Sequence, residues 1–121
     1  MIKRLPNSHL AVVPIEKLRD YALNPGSDEG RHKARVFYAA LGLVRDDAEW
    51  LRQAVLEKLA ITPVRPGPPS RYGVKFVMEM VLERAGKQAP VRVAWFIPKG
   101  RIEPRLVSLY VLPSKAWEKR S

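Results

Sequence analysis

The chain has 121 residues and no cysteine, 46% hydrophobic and 28% charged side chains, and a formal net charge of +10. That length supports one domain with one core. The missing cysteines exclude disulfides, Cys-ligated zinc and thiol catalysis, and no apolar run reaches the roughly 18 residues of a membrane span. A field this positive either draws polyanions, nucleic acid ahead of an acidic protein or an anionic membrane face, or belongs to a merely solvated basic surface. The basic start at residues 1–6 has no apolar stretch behind it, so no signal peptide is expected and the expected location is the cytoplasm.

Residues 10–13 form a short apolar patch, a brief strand or an extended lead-in. Pro14 suits the first turn of a helix in which Ile15, Leu18, Tyr21 and Ala22 recur at helical spacing, stopped by Asn24-Pro25-Gly26. A second helix is predicted over about 29–42, with Asp28 as N-cap, Val36, Phe37, Ala40 and Leu41 as apolar face, and Gly42 as the terminating glycine. Asp46 with Glu49 approximates a capping box for a third helix reaching about Ala60. Its apolar stripe of Trp50, Leu51, Ala54, Val55 and Leu59 admits one polar member, Lys58. Residues 62–70 carry four prolines' worth of stiffness and one arginine, too proline-rich for helix or inner strand, and read as an extended loop.

The period then changes from 3.6 to 2. Tyr72, Val74, Phe76, Met78, Met80 and Leu82 alternate with Gly73, Lys75, Val77, Glu79, Val81 and Glu83, a strand signature. A turn at 85–88, a strand over 91–97 and another over 106–112 follow. Helices first and strands afterwards predict an α+β fold, with N-terminal helices packed on one face of a three- to four-stranded antiparallel sheet. Residues 1–121 form a single domain with a core over about 5–112 and a frayed tail over 113–121.

The chemistry available is cationic. Arg31, His32, Lys33 and Arg35 crowd the start of the second helix behind Gly30, although the first turn already carries about half a positive charge. An anion such as phosphate would complete that cluster; surface pairing with Asp20, Asp28 or Glu29 is the alternative. No ligand spacing for zinc, calcium or a two-metal site is present, so no metal and no cofactor is expected. Metal-free RNA cleavage needs only a base, an acid and cations for the phosphorane, because the substrate's 2′-OH is the nucleophile. His32 is the side chain whose unperturbed pKa lies nearest neutrality. On the strands, Lys75 either pairs with Glu79 or meets a ligand, and Tyr72 opens the first strand. Of Trp95 and Phe96 one is core and the other available for stacking. Arg105 and Ser108 come from the last strand, the hydroxyl either bonding nearby backbone or facing a ligand.

Leu5-Pro6-Asn7, Lys17-Leu18-Arg19-Asp20-Tyr21, Gly30-Arg31-His32-Lys33-Ala34, Tyr72-Gly73-Val74-Lys75, Val93-Ala94-Trp95-Phe96-Ile97 and Pro104-Arg105-Leu106-Val107-Ser108 together resemble an uncharacterised bacterial family. Its members occur alone and at the C-termini of large polymorphic toxins, and its Gly-x-His-Lys segment is the most recognisable part. The layout is similar to that of RelE, barnase and EndoU-like metal-independent ribonucleases. That resemblance implies His32, Lys33 and Ser108 as catalytic positions. It places Tyr72, Lys75 and Arg105 as phosphate- or substrate-binding positions, and Arg35 joins them as a phosphate ligand from its place in the cationic helix start. The expectation is therefore a toxin-like metal-independent ribonuclease acting on RNA rather than DNA, held by a small acidic antitoxin. A non-catalytic nucleic-acid-binding or ribosome-associated module is the rival reading.

Overall fold

The computed structural model describes residues 3–113; from 114 onward the tail expected to fray, with Trp117, lies outside the described residues. After a short 3-10 turn at Ser8–Leu10, the apolar lead-in is tied to the last strand. Val12 N–H donates to Pro104 O at 2.9 Å, and Leu106 N–H donates to Val12 O at 3.0 Å. The first helix is wide rather than regular, a π-helix over Lys17–Ala22. It buries Leu18 and Ala22 but leaves Tyr21, expected on the apolar face, 45% exposed. Asn24 ends it: its Nδ2 donates to Asp20 O and its Oδ1 accepts from Gly26 N–H.

Helix α1 (Arg31–Leu41) buries Ala34, Phe37 and Leu41 and ends at Gly42, whose φ of 68° suits a residue without a Cβ. Its start is tied by Ser27, not by the expected Asp28. Ser27 Oγ accepts from Gly30 N–H at 3.1 Å, and Ser27 O accepts from Arg31 N–H at 2.9 Å. A hydroxyl three residues back reaches the free N–H groups that Asp28, inside the turn, does not. Gly30 itself answers to packing, since a Cβ there would lie 1.8 Å from Tyr21 O.

A 3-10 turn at Arg45–Asp47 leads into helix α2 (Ala48–Leu59), which buries Ala48, Leu51, Val55 and Leu59. The capping box expected of Asp46 and Glu49 does not form; Asp47 Oδ2 accepts from Val44 N–H at 2.9 Å instead. Because the 3-10 turn precedes the α-helix, the capping carboxylate falls one residue later. Lys58, the polar member of the apolar stripe, lays its stem along the core edge and donates from Nζ to Val81 O.

The sheet has four strands in the order β1-β2-β3-β4, antiparallel throughout: β1 (Arg65–Pro66), β2 (Gly73–Arg84), β3 (Lys87–Pro98) and β4 (Arg105–Val111). The proline segment is thus not wholly loop. Its two residues at 65 and 66 pair as an edge strand, where a missing N–H does no harm. The turn is tighter than expected, just Ala85 and Gly86 with φ 51° and 81°, so Lys87 and Gln88 already belong to β3. Met78, Met80, Leu82, Val91, Val93, Trp95, Leu106 and Leu109 form the core face against the helices. Arg84 bolts the layers together: it donates to Leu41 O at the end of α1 and to Gly42 O just beyond it, and pairs with Asp47 at 3.1 Å.

Candidate functional site

With the helices on one side, strand alternation sends the other residues to an open face. Register makes rows of Lys75, Phe96 and Arg105; of Val77, Ala94 and Ser108; and of Glu79, Arg92 and Tyr110. Strict alternation would put Arg105 and Ser108 on opposite faces, because three positions separate them. A β-bulge between Ala94 and Trp95 and the facing segment of β4 absorbs Val107 as an extra residue, and both then share the open face.

At the centre, the Glu79 carboxylate is 7% exposed and takes a guanidinium from each side. Arg65 Nη2 donates to its Oε2 at 2.8 Å, and Arg92 Nε donates to the same oxygen at 2.9 Å. Arg92 Nη1 also donates to Tyr110 Oη at 3.2 Å. The hydrogen bond to Glu79 raises the Arg65 pKa; the bonds to Tyr110 and then Glu79 raise that of Arg92. Both stay cationic at every relevant pH. Over them lies a hollow of about 350 Å³ whose lining includes Arg65, Lys75, Arg92, Ser108 and Tyr110. A second hollow, about 190 Å³, lies between β4 and the start of α1, with Lys17, Glu29, Lys33 and again Ser108 in its wall. Lys33 Nζ stands 5.8 Å from the centre of the Tyr110 ring.

The sequence-derived positions divide accordingly. Lys33, Lys75 and Ser108 converge on the open face and its margin. Lys75 does not pair with Glu79, whose carboxylate is taken by the arginines, and it has no ion pair among the described residues. The Ser108 hydroxyl bonds no backbone group among the described residues, and Ser108 lines both hollows. Arg105 lies on the same face in the row of Phe96, at its rim. Trp95 is the core aromatic and Phe96 the half-buried one on the open face. The remaining three positions lie elsewhere. His32 is exposed, rotated about 100° round α1 from Lys33 and away from buried Phe37. Arg35 lines a separate groove on the other flank of α1. Tyr72, expected to open the first strand, lies in the turn just before β2, is 66% exposed, and accepts a hydrogen bond from Arg71 at its hydroxyl.

Glu79, Arg92, Arg65 and Tyr110 are the members that sequence reading passed over. One signal was available: a two-residue turn sets equidistant residues opposite each other, so a turn at Ala85-Gly86 already makes Glu79 face Arg92. Among the described residues no three His, Asp or Glu side chains gather as a metal site, and no helix is long and apolar enough to cross a membrane.

Fold and site together define a small α+β domain whose helices cover one side of an antiparallel meander and whose other side is a cationic platform. Over residues 4–113 the chain matches the model of the family described as a domain of unknown function, DUF6883, and it belongs to that family. No curated protein and no solved structure matches it.

Proposed function

We propose that the open sheet face binds RNA and cleaves it without a metal ion, as a toxin-like ribonuclease working in the cytoplasm. The supporting observation is the hollow ringed by Arg65, Lys75, Arg92, Ser108 and Tyr110, with the arginines oriented from below by Glu79. Arg65 and Arg92 hold the scissile phosphate and neutralise the charge that grows on its oxygens. Lys75 is the base that takes the proton of the 2′-OH. The 2′-oxygen then forms a bond to phosphorus, the bond from phosphorus to the 5′-oxygen breaks, and Tyr110 gives that oxygen its proton. A 2′,3′-cyclic phosphate and a 5′-hydroxyl remain. Tyr110 Oη accepts from Arg92, which leaves its own O–H to donate. Ser108 contributes a hydrogen bond to the phosphate, and Lys33 and Arg105 draw the flanking backbone. Glu79 is a positioning residue, and His32 takes no part.

Phe96, half-buried in the row of Lys75 on the same face, favours a second reading, a binding module that stacks bases and performs no chemistry. Incubating single-stranded and structured RNA with the protein in EDTA separates the two. Cleavage is expected, with cyclic-phosphate ends, falling about a hundredfold or more in Lys75→Ala and Tyr110→Phe and unchanged in His32→Ala. No cleavage of any RNA class overturns the ribonuclease; salt-sensitive binding that Lys75→Ala weakens would then leave the binding module.

A further inference from the structure

The first turn of α1 carries a cost that the sheet face does not explain. Arg31 and Arg35 sit four apart on one helix flank, like charges at the end of the helix that already repels them. Neither has an ion pair among the described residues. Both border a groove of about 570 Å³ between α1, the end of the π-helix and the 3-10 turn. Its floor is aliphatic, made by Leu23, Leu43 and Ala34. Its walls are Tyr38, 62% exposed, and Val44, 46% exposed. Arg45 closes one end, held by Asp20 and Arg19 O, and no carboxylate lines the groove.

We propose that this groove docks an acidic segment of a partner protein. An apolar side chain of that segment sits on Leu23 and Leu43 between Tyr38 and Val44, and flanking carboxylates meet Arg31 and Arg35. The arrangement has the anatomy of an interface, a desolvated apolar centre beside Tyr and Arg anchors with charge at the rim. The occupant follows from complementarity. A second copy of a +10 chain would bring like charge. RNA would find one aromatic plane and an aliphatic floor that stacks no base and bonds no base edge. An acidic amphipathic helix offers both things the groove lacks, an apolar plug and anions one turn apart. This site lies on the other flank of α1 from Lys33 and does not rest on the reading of the sheet face.

The test uses fluorescence anisotropy of the whole chain at physiological salt with three labelled probes. The first is a peptide of glutamates with leucine and tryptophan at helical spacing. The second is the same peptide with those apolar residues replaced by serine, and the third is a short single-stranded RNA. The apolar-acidic peptide is expected to bind about tenfold or more tighter than its serine counterpart. Arg31→Glu combined with Arg35→Glu should weaken it at least about tenfold, as should Tyr38→Ala. All three side chains are exposed, so circular dichroism should show the fold intact. Lys75→Ala should leave peptide binding unchanged while reducing RNA cleavage or binding, which keeps this site's failure separate from that of the sheet face. Equal binding of the two peptides, no binding, insensitivity to the groove variants, or displacement of the peptide by RNA overturns the proposal.

Discussion

Glu79 and Arg92 stand directly opposite each other on β2 and β3, joined at 2.9 Å between Arg92 Nε and Glu79 Oε2. The same buried oxygen takes Arg65 from the outer strand at 2.8 Å. One anion beneath the surface thus holds two cations from the strands on either side and presents both to the hollow. Its neutral replacement would leave two guanidiniums competing for the same space.

Glu79→Gln should therefore lower the free energy of unfolding by about 1–2 kcal/mol. That is less than the loss of a fully buried pair, because the Arg65 side chain is 60% exposed and water recovers part of the difference. Urea denaturation with an unchanged m-value would register it. A loss below a few tenths would mean the carboxylate anchors nothing.

If Lys75 and Arg65 contact phosphate, each alanine variant should flatten the plot of log affinity against log salt by about 0.7 for single-stranded RNA. Arg52→Ala, on α2 and paired with Glu49, should leave that slope as it is. Equal slopes for all three variants would remove the sheet face from the binding site.

Gly30→Ala should destabilise the chain by about 3 kcal/mol or more, since its Cβ would overlap the Tyr21 backbone at 1.8 Å and backbone cannot swing aside. Gly26→Ala, whose nearest neighbour at 3.3 Å is the Asn24 side chain, should cost far less. Thermal melts of the two variants compare them directly.

Asp20 joins Arg19 on its own helix to Arg45 on the 3-10 turn. The hydrogen bonds from Arg19, then from Arg45, lower its pKa from 3.8 to about 2. A folded-state pKa below the unfolded one means this contribution is whole above about pH 4 and is lost as pH falls through about 2. An NMR titration of the Asp20 carboxyl should give that low midpoint, and Arg45→Ala should move it upward; an ordinary midpoint in the wild type would contradict the pairing.

The elements that local pattern controls were legible. The 3.6-residue periods of α1 and α2, Gly42 at the end of α1 and the alternation of β2 all follow from side chains close in sequence. Three departures share one cause, competition between near-equal local partners: Ser27 against Asp28, Asp47 against Asp46, and a two-residue turn against a four-residue one. The site was less legible because its parts meet across strands. Lys33 and Ser108 stood out in the sequence, but Ser108 joins the face of Arg105 only through a bulge that alternation does not announce. The ring orientation of His32 depends on which flank of α1 meets β4, and a shift of one residue turns a side chain from the sheet to solvent.

Lys58 has a consequence beyond its place in the stripe of α2. The Val81 carbonyl it binds belongs to β2 past the short reach of β1, where the outer border of the sheet would otherwise be bare. Gly67 N–H similarly occupies Lys75 O at 2.7 Å, and Val12 covers the beginning of β4 just before its bulge. These groups block the borders along which a strand from another molecule would zip on. A lysine that reads as a flaw in an apolar helix face thereby guards a long, strongly hydrophobic hairpin against templated self-assembly.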